Sequence, residues 1–275
     1  RETIEGLNLS EGKNFIDCTF GLGGHSREIL KRIGKKGRVL AFEYDNQLYP
    51  IIKKIYQSEK RLIIVNENFK DLARVVKEKN FFPVSGILVD LGVCSWQIEK
   101  KKGFSFWRNE ELDMRYNSSK QKERAQDILN KKREKELVKI FKKYGQIKSA
   151  RELARRILRE RPLKTTFQLK KILESFQKKE RKIVRKVFLA LRLATNRELE
   201  NLKEMLEQAI FVLEKKGRLA IISYHSLEER LIKHFFRMKK KFLKVISPKP
   251  ILPSPKEIKE NRRSRSAKLF LAEKK

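Results

Sequence analysis

Three observations predict an α/β protein: a Rossmann-like parallel sheet interrupted by a small helical domain. Short apolar, β-rich runs alternate with amphipathic helices over residues 1–100. Continuous apolar strands separated by helices indicate a parallel sheet covered on both faces. Residues 122–195 then carry apolar positions at helical spacing without strands, and the alternation resumes after them. At 275 residues the chain can bury one large core or two smaller ones.

The elements follow in order. Asn14–Asp17 is a short apolar strand ending in an acid, and Gly21-Leu22-Gly23-Gly24 makes the turn into a helix over Ser26–Ile33. Glycines allow a sharp turn and close approach of backbone to ligand, and a helix N-terminus offers unpaired N–H groups. A second strand, Gly37–Phe42, ends at Glu43, where a carboxylate can accept hydrogen bonds from ribose hydroxyls. The glycine spacing departs from G-x-G-x-x-G because Ser26 stands at the third position. It leans towards nucleoside ligands without a pyrophosphate, S-adenosylmethionine being the commonest. The blander reading is a connecting turn; the acidic strand end about twenty residues on favours the nucleoside site.

A helix over Gln47–Gln57, a strand Leu62–Val65, a helix Asp71–Lys79 with Asp71 as N-cap, and a strand Val84–Asp90 complete the first part. Ligands of such sheets bind beyond the carboxyl ends of the strands, which puts Asp17, Glu43, Phe69 and Asp90 on one rim. Leu91–Asn117 is an irregular loop whose aromatics, Trp96, Phe104, Phe106 and Trp107, argue against plain disorder. Four helical faces follow: Leu137/Ile140/Phe141/Tyr144, Leu153/Ile157/Leu158, Phe167/Leu169/Leu173/Phe176 and Ile183/Val187/Leu191. Their polar sides are dense in arginine. Taken singly each is a solvated face; together they form a basic helical insert.

The returning part holds a helix Asn196–Lys215 stopped by Gly217, a strand Arg218–Ile222, and a helix Leu227–Met238 capped by Ser226 with Glu229 as the capping-box partner. Four prolines, Pro248 to Pro255, keep helix out of an extended arm. The tail carries Arg262, Arg263 and Arg265 before a β-like run over Ala267–Ala272.

Lys+Arg is 68 against Asp+Glu 34, a formal net charge of +34. A field of that sign attracts polyanions and releases counterions on nucleic-acid binding. Lysine inflation by an AT-rich genome is the alternative, but it does not remove the acidic residues that would balance it. Charge does not choose between RNA and DNA. Cys18 and Cys94 form no C-x-x-C, give no metal spacing, and read as small hydrophobes near the site. No metal is expected. No signal peptide or membrane-length apolar run is present, so the expected setting is soluble and cytoplasmic, without a membrane partner. The opening residue is Arg1, and a short preceding piece is expected.

The series IDCTFGLGGHS, AFEYD, NFKDL, GILVDLGVCSWQ, KGFSFW…LDMR, FLALRLATNREL, GRLAIISYHSLEER and NRRSRSAKL runs in one order across nearly the whole chain. It closely resembles the bacterial S-adenosylmethionine-dependent 16S rRNA cytosine-N(4)-methyltransferases of the RsmH or MraW type. The resemblance implies a class I methyltransferase core over 1–102 and 196–275, with 103–195 as loop and inserted helical substrate-recognition domain. It implies methylation of the exocyclic amine of a cytidine in the decoding region, with the small ribosomal subunit as partner.

By the same resemblance Gly23, Gly24 and His25 line the cofactor, Glu43 holds its ribose, Phe69 packs by its adenine, and Asp90 and Gln97 complete the shell. Glu43 stands where the family usually has Asp, and Cys94-Ser95-Trp96-Gln97 where it has Ser-Ser-Pro-Gln. The family's N-terminal His-x-Pro-Val segment is absent. A cytosine amine is a weak nucleophile because its lone pair is conjugated into the ring, so an acceptor on its N–H assists attack. Asp90 occupies that place, as acceptor or as cofactor ligand; the Pro-Pro motif usual in amine methyltransferases is missing after it. The target base must be unpaired or flipped. Trp96, Phe104 and Trp107 are stacking candidates or core residues, His225 serves either the substrate pocket or its turn, His234 is structural, and Arg262, Arg263 and Arg265 are placed to grip phosphates. Rival readings are a catalytically inactive RNA-binding ribosome-assembly factor, an NAD-linked oxidoreductase and a DNA amine methyltransferase.

Overall fold

The computed structural model describes residues 2–176 and 182–275. The chain divides into two compact units, Arg1–Gly92 with Leu199–Lys275, and Val93–Glu198. The boundaries expected at 102/103 and 195/196 thus fall at 92/93 and 198/199, because the chain leaves the sheet unit directly after the fourth strand.

In the first unit α1 (Glu2–Gly6) precedes β1 (Asn14–Asp17), α2 (Gly24–Arg32), β2 (Arg38–Phe42), α3 (Leu48–Ile55), β3 (Leu62–Val65), α4 (Leu72–Glu78) and β4 (Val84–Asp90). A 3-10 turn, Phe69–Asp71, leads into α4. Its cap is Asn68, whose side chain accepts the Lys70 N–H at 3.0 Å. Asp71, expected as the helix cap, makes no side-chain cap bond. Asp71 still holds the N-cap position of α4, as expected, and the side-chain cap lies one turn earlier at Asn68.

The second unit is helical: α5 (Ser95–Lys100), α6 (Ala125–Lys131), α7 (Glu134–Lys143), α8 (Ala150–Arg159), α9 (Thr166–Glu174) and α10 (Ile183–Asn196). Its own core holds Leu137, Phe141, Leu153, Ile157, Leu169, Leu173, Phe176, Ile183, Val187 and Leu191. These belong to the four apolar faces read from the spacing. Phe167 is the departure: it leads α9 but stays 43% exposed. The LDMR segment folds on itself, with Arg115 Nε and one Nη donating to the two Asp113 carboxylate oxygens at 2.6 and 2.8 Å. Leu112 and Met114 are buried in the core of this unit.

The chain then runs through α11 (Glu198–Val212), β5 (Leu213–Ser223), α12 (Ser226–Met238), β6 (Leu243–Val245), α13 (Pro255–Glu260) and β7 (Lys268–Lys274). Gly217 does not end the helix. α11 stops at Val212, and Lys216 takes the left-handed conformation. A bulge between Val84 and Gly86 then brings Arg218 into register beside Gly86. The prolines do keep the arm non-helical until Pro255, which sits in the first turn of α13, where its missing N–H is harmless.

The seven strands lie in the order β3-β2-β1-β4-β5-β7-β6. β1 to β5 pair in parallel, while β7 runs antiparallel to both β5 and β6. The order reverses at β1, between β2 and β4. Ligands of open α/β sheets bind beyond the strand ends at such a switch point. Asp17 pairs with Ala41 on one side and Leu88 on the other, so Glu43 and Asp90 end the neighbouring strands at nearly the same height.

Candidate active site

The glycine turn is built around buried carboxylates. Asp17 is fully buried; its oxygens accept the Thr19 N–H at 3.1 Å and the Ser26 hydroxyl at 2.7 Å. Burial raises its pKa, against the nearby charge of His25 and these donors. Asp17 is therefore a tie between strand and helix and not an open rim group. Gly23 closes the turn with φ +80°, and a Cβ there would lie 2.4 Å from the Tyr56 hydroxyl and 2.7 Å from Phe20. That hydroxyl donates to the Leu22 carbonyl at 2.9 Å, and the Phe20 and Tyr56 rings meet edge to face at 5.2 Å. Gly23 is needed for both conformation and space. A Cβ at Gly24, which opens α2, would meet nothing within 4 Å, so the first turn of the helix borders open space.

Glu43 reaches back to the same turn. Its two oxygens accept the Gly21 N–H at 3.0 Å and the Asp45 N–H at 2.8 Å. Burial pushes its pKa up to about 8, the Asp45 and Asp17 charges adding to this and the two N–H donors opposing it. Each carboxylate oxygen carries a second lone pair, so hydroxyl donors can still be accepted. Asn66 donates to the Glu43 carbonyl at 2.8 Å, and Phe69 packs half-buried against the core of this unit.

Asp90 ends β4 with three ties. Its N–H donates to the Thr19 hydroxyl at 2.7 Å, its Oδ1 accepts the Tyr224 hydroxyl at 2.9 Å, and its Oδ2 lies 3.4 Å from His25 Nε2. Burial alone lowers the His25 pKa, but the hydrogen bond to Asp90 and the charges of Asp17 and Asp90 outweigh it and hold it above the ordinary value. Burial and the adjoining Asp90 push the Tyr224 hydroxyl far up, so it remains a neutral donor. Tyr224 is not among the residues singled out from the sequence, where nothing local ties it to Asp90. Only the pairing of β4 with β5 brings it opposite Asp90.

His225 is the N-cap of α12, its Nδ1 accepting the Glu228 N–H at 3.4 Å. The expected cap, Ser226, is already the first helical residue. The expected box partner, Glu229, instead lies 2.6 Å from both Lys233 and Lys268. Turn support is thus the role visible for His225. Arg262, Arg263 and Arg265 are exposed on a 3-10 turn, Arg262–Ser266, held by Asn261 and Ser264. Cys18 is buried, and burial raises its thiol pKa.

The remaining predicted residues belong to the helical unit. Gln97 is buried and its side-chain oxygen accepts the Cys94 N–H at 3.1 Å, capping α5. Trp96 is half-buried, and Phe104 packs on Tyr116 with centroids 5.4 Å apart. Trp107 is 71% exposed. Among the described residues no cluster of metal-ligand type occurs, and no helix is long and apolar enough to cross a membrane.

A sheet of this order, with a glycine turn after β1, an acid after β2 and a polar strand end on β4, defines a Rossmann-like methyltransferase. A crystal structure of a Clostridium thermocellum protein, described as a candidate rRNA methylase, shares the fold with a TM-score of 0.50 at 11% identity, covering 100% of this chain and 96% of that one. The model of the MraW methylase family matches residues 1–275, and the chain belongs to that family. Its cofactor is S-adenosylmethionine. Relatives named ribosomal RNA small subunit methyltransferase H include those of Dictyoglomus thermophilum and Carboxydothermus hydrogenoformans. Each is 40% identical over 99% of this chain, covering 94% and 95% of those proteins respectively.

Proposed function

We propose that this chain methylates the exocyclic N(4) amine of a cytidine in the decoding region of small-subunit (16S) rRNA. The observation that carries the reading is the carboxylate of Asp90 at the end of β4, held on one oxygen by Tyr224 and on the other by His25. Family membership and the rRNA-directed relatives support the substrate class. The Gly23–Gly24 turn and Glu43 would hold S-adenosylmethionine: open space borders Gly24, and Glu43 keeps lone pairs for ribose hydroxyls. When bound, that cofactor supplies an activated methyl carbon.

Asp90 would accept a hydrogen bond from the amine N–H and so raise electron density on the attacking nitrogen. A hydroxyl donor on one oxygen and the His25 imidazole beside the other keep the carboxylate in one orientation, and positioning of this kind accounts for much of such a rate. The exposed Arg262, Arg263 and Arg265 would contact phosphates. The test is transfer of labelled methyl to unmethylated small subunits by the wild type and Asp90→Ala. Transfer that disappears in the variant supports the reading; near-normal turnover refutes it. Subunit binding without transfer by the wild type would instead favour an inactive assembly factor.

A further inference from the structure

We propose that Trp107 and Phe167, with Lys170 between them, form an open stacking platform for an unpaired RNA base, distinct in kind from a pocket that encloses a target base. The proposal rests on the rRNA reading for its polymer and on the helical unit for its geometry.

Trp107 is 71% and Phe167 43% exposed. Large rings are normally withdrawn from water, and neighbouring exposed ones mark interaction sites. The two belong to one patch, because the Lys170 ammonium lies 5.0 Å from the Trp107 ring centroid and 5.6 Å from that of Phe167. The patch is also held in place. The Thr166 hydroxyl donates to the Arg108 carbonyl at 2.5 Å and accepts the Glu110 N–H at 3.0 Å. The Thr166 N–H in turn donates to the Glu110 carbonyl at 2.9 Å. Thr166 is fully buried, so the loop carrying Trp107 is pinned to the first turn of α9, which carries Phe167. Behind Trp107, Phe106 stands 5.1 Å away and packs edge to face on Phe188 at 5.4 Å. A ring fixed in this way loses little freedom when a base stacks on it.

Charge selects the occupant. Lys164 and Lys171 are exposed on and beside α9, and the chain as a whole carries +34. Lys170 stands 4.0 Å from Glu174, a loose surface pair that a phosphate can displace. Aromatic faces interleaved with lysine suit single-stranded nucleic acid, where bases stack and the backbone meets cations. An apolar protein partner has no use for the lysines. A base on a ring this exposed stays open to water, so the platform contributes grip and register.

The test is a titration of the full chain with a single-stranded uridine oligonucleotide, read by tryptophan fluorescence and by affinity. Stacking on Trp107 should quench emission, and Trp107→Leu should remove most of that quench, leaving only the contribution of Trp96. Losing both stacking rings in Trp107→Leu with Phe167→Ala should weaken binding by about 5- to 100-fold, while Trp107→Phe keeps affinity within about threefold. Lys170→Gln should flatten the salt dependence by about one counterion. An undiminished quench in Trp107→Leu, or unchanged affinity in the double variant, overturns the platform. Both rings are exposed, so their loss leaves the packed core intact, and S-adenosylmethionine binding by the variants verifies folding. Failure of the wild type to bind that cofactor would count against the methyltransferase reading and not against the platform.

Discussion

Replacing Glu43 by glutamine separates the electrostatic cost of this carboxyl from its hydrogen bonds. Its pKa in the fold is about 8, against 4.5 in an open chain, because burial disfavours the charged form. The folded state therefore holds its proton more tightly than the unfolded state. Any stability from this source is complete below pH 4.5 and is lost as pH rises through 8. The difference of roughly 3.5 pH units, at about 1.4 kcal/mol each, amounts to about 5 kcal/mol.

Glutamine stays neutral, so Glu43→Gln should lack this slope. It should cost about 1–3 kcal/mol at pH 5, since its amide nitrogen cannot accept the N–H of Gly21 or Asp45 and leaves one buried donor unmet. At pH 9 the ordering should reverse. The assay is urea unfolding of both proteins from pH 5 to pH 9, taking the difference at each pH so that other titrating groups cancel. Parallel curves across that range would refute the reasoning. The same carboxyl should couple to ligand: ribose hydroxyls favour the ionised form, so methylthioadenosine should bind the wild type more tightly, with proton release, as pH rises towards 8.

Two further outcomes follow from the geometry. Tyr224→Phe removes one hydrogen bond to the Asp90 carboxylate; bonds to charged groups contribute about 1.5–3 kcal/mol, so turnover should fall about 10- to 100-fold while cofactor affinity holds, and equal loss in both would contradict a positioning role. Gly23→Ala places a Cβ 2.4 Å from the Tyr56 hydroxyl at φ +80°. Its left-handed backbone alone costs about 1–2 kcal/mol, so both Tm and S-adenosylmethionine affinity should drop, and an unchanged affinity would remove the turn from the site.

Much of the sheet was legible because its signals are local. Apolar runs such as Leu62–Val65 and Val84–Asp90 end where the strands end, and the glycine turn announces itself by composition. Helix starts were read less well. His225 caps α12 in place of Ser226, and Asp71 holds the N-cap position of α4 without a side-chain bond, which Asn68 makes one turn earlier, because a cap is decided by backbone angles at one residue and several polar neighbours compete for it. Asp90 was legible as a strand-end acid, but its partners were not, since Tyr224 lies 134 residues away and meets it only through the pairing of β4 with β5. Asp17 showed the opposite error. An acid at a strand end reads as a rim group, yet Ser26 and Thr19 seal it inside. Phe167 fitted the helical period of an apolar face and still points outwards, because the period gives a side of the helix but not the edge of the core.

The central claim is tested most directly by nucleoside analysis of small ribosomal subunits after incubation with the protein and labelled S-adenosylmethionine. Label confined to N(4)-methylcytidine at one position is the expected product. Label on another nucleoside, or on a ring atom or ribose oxygen, would contradict the assignment of the cytosine amine as the acceptor.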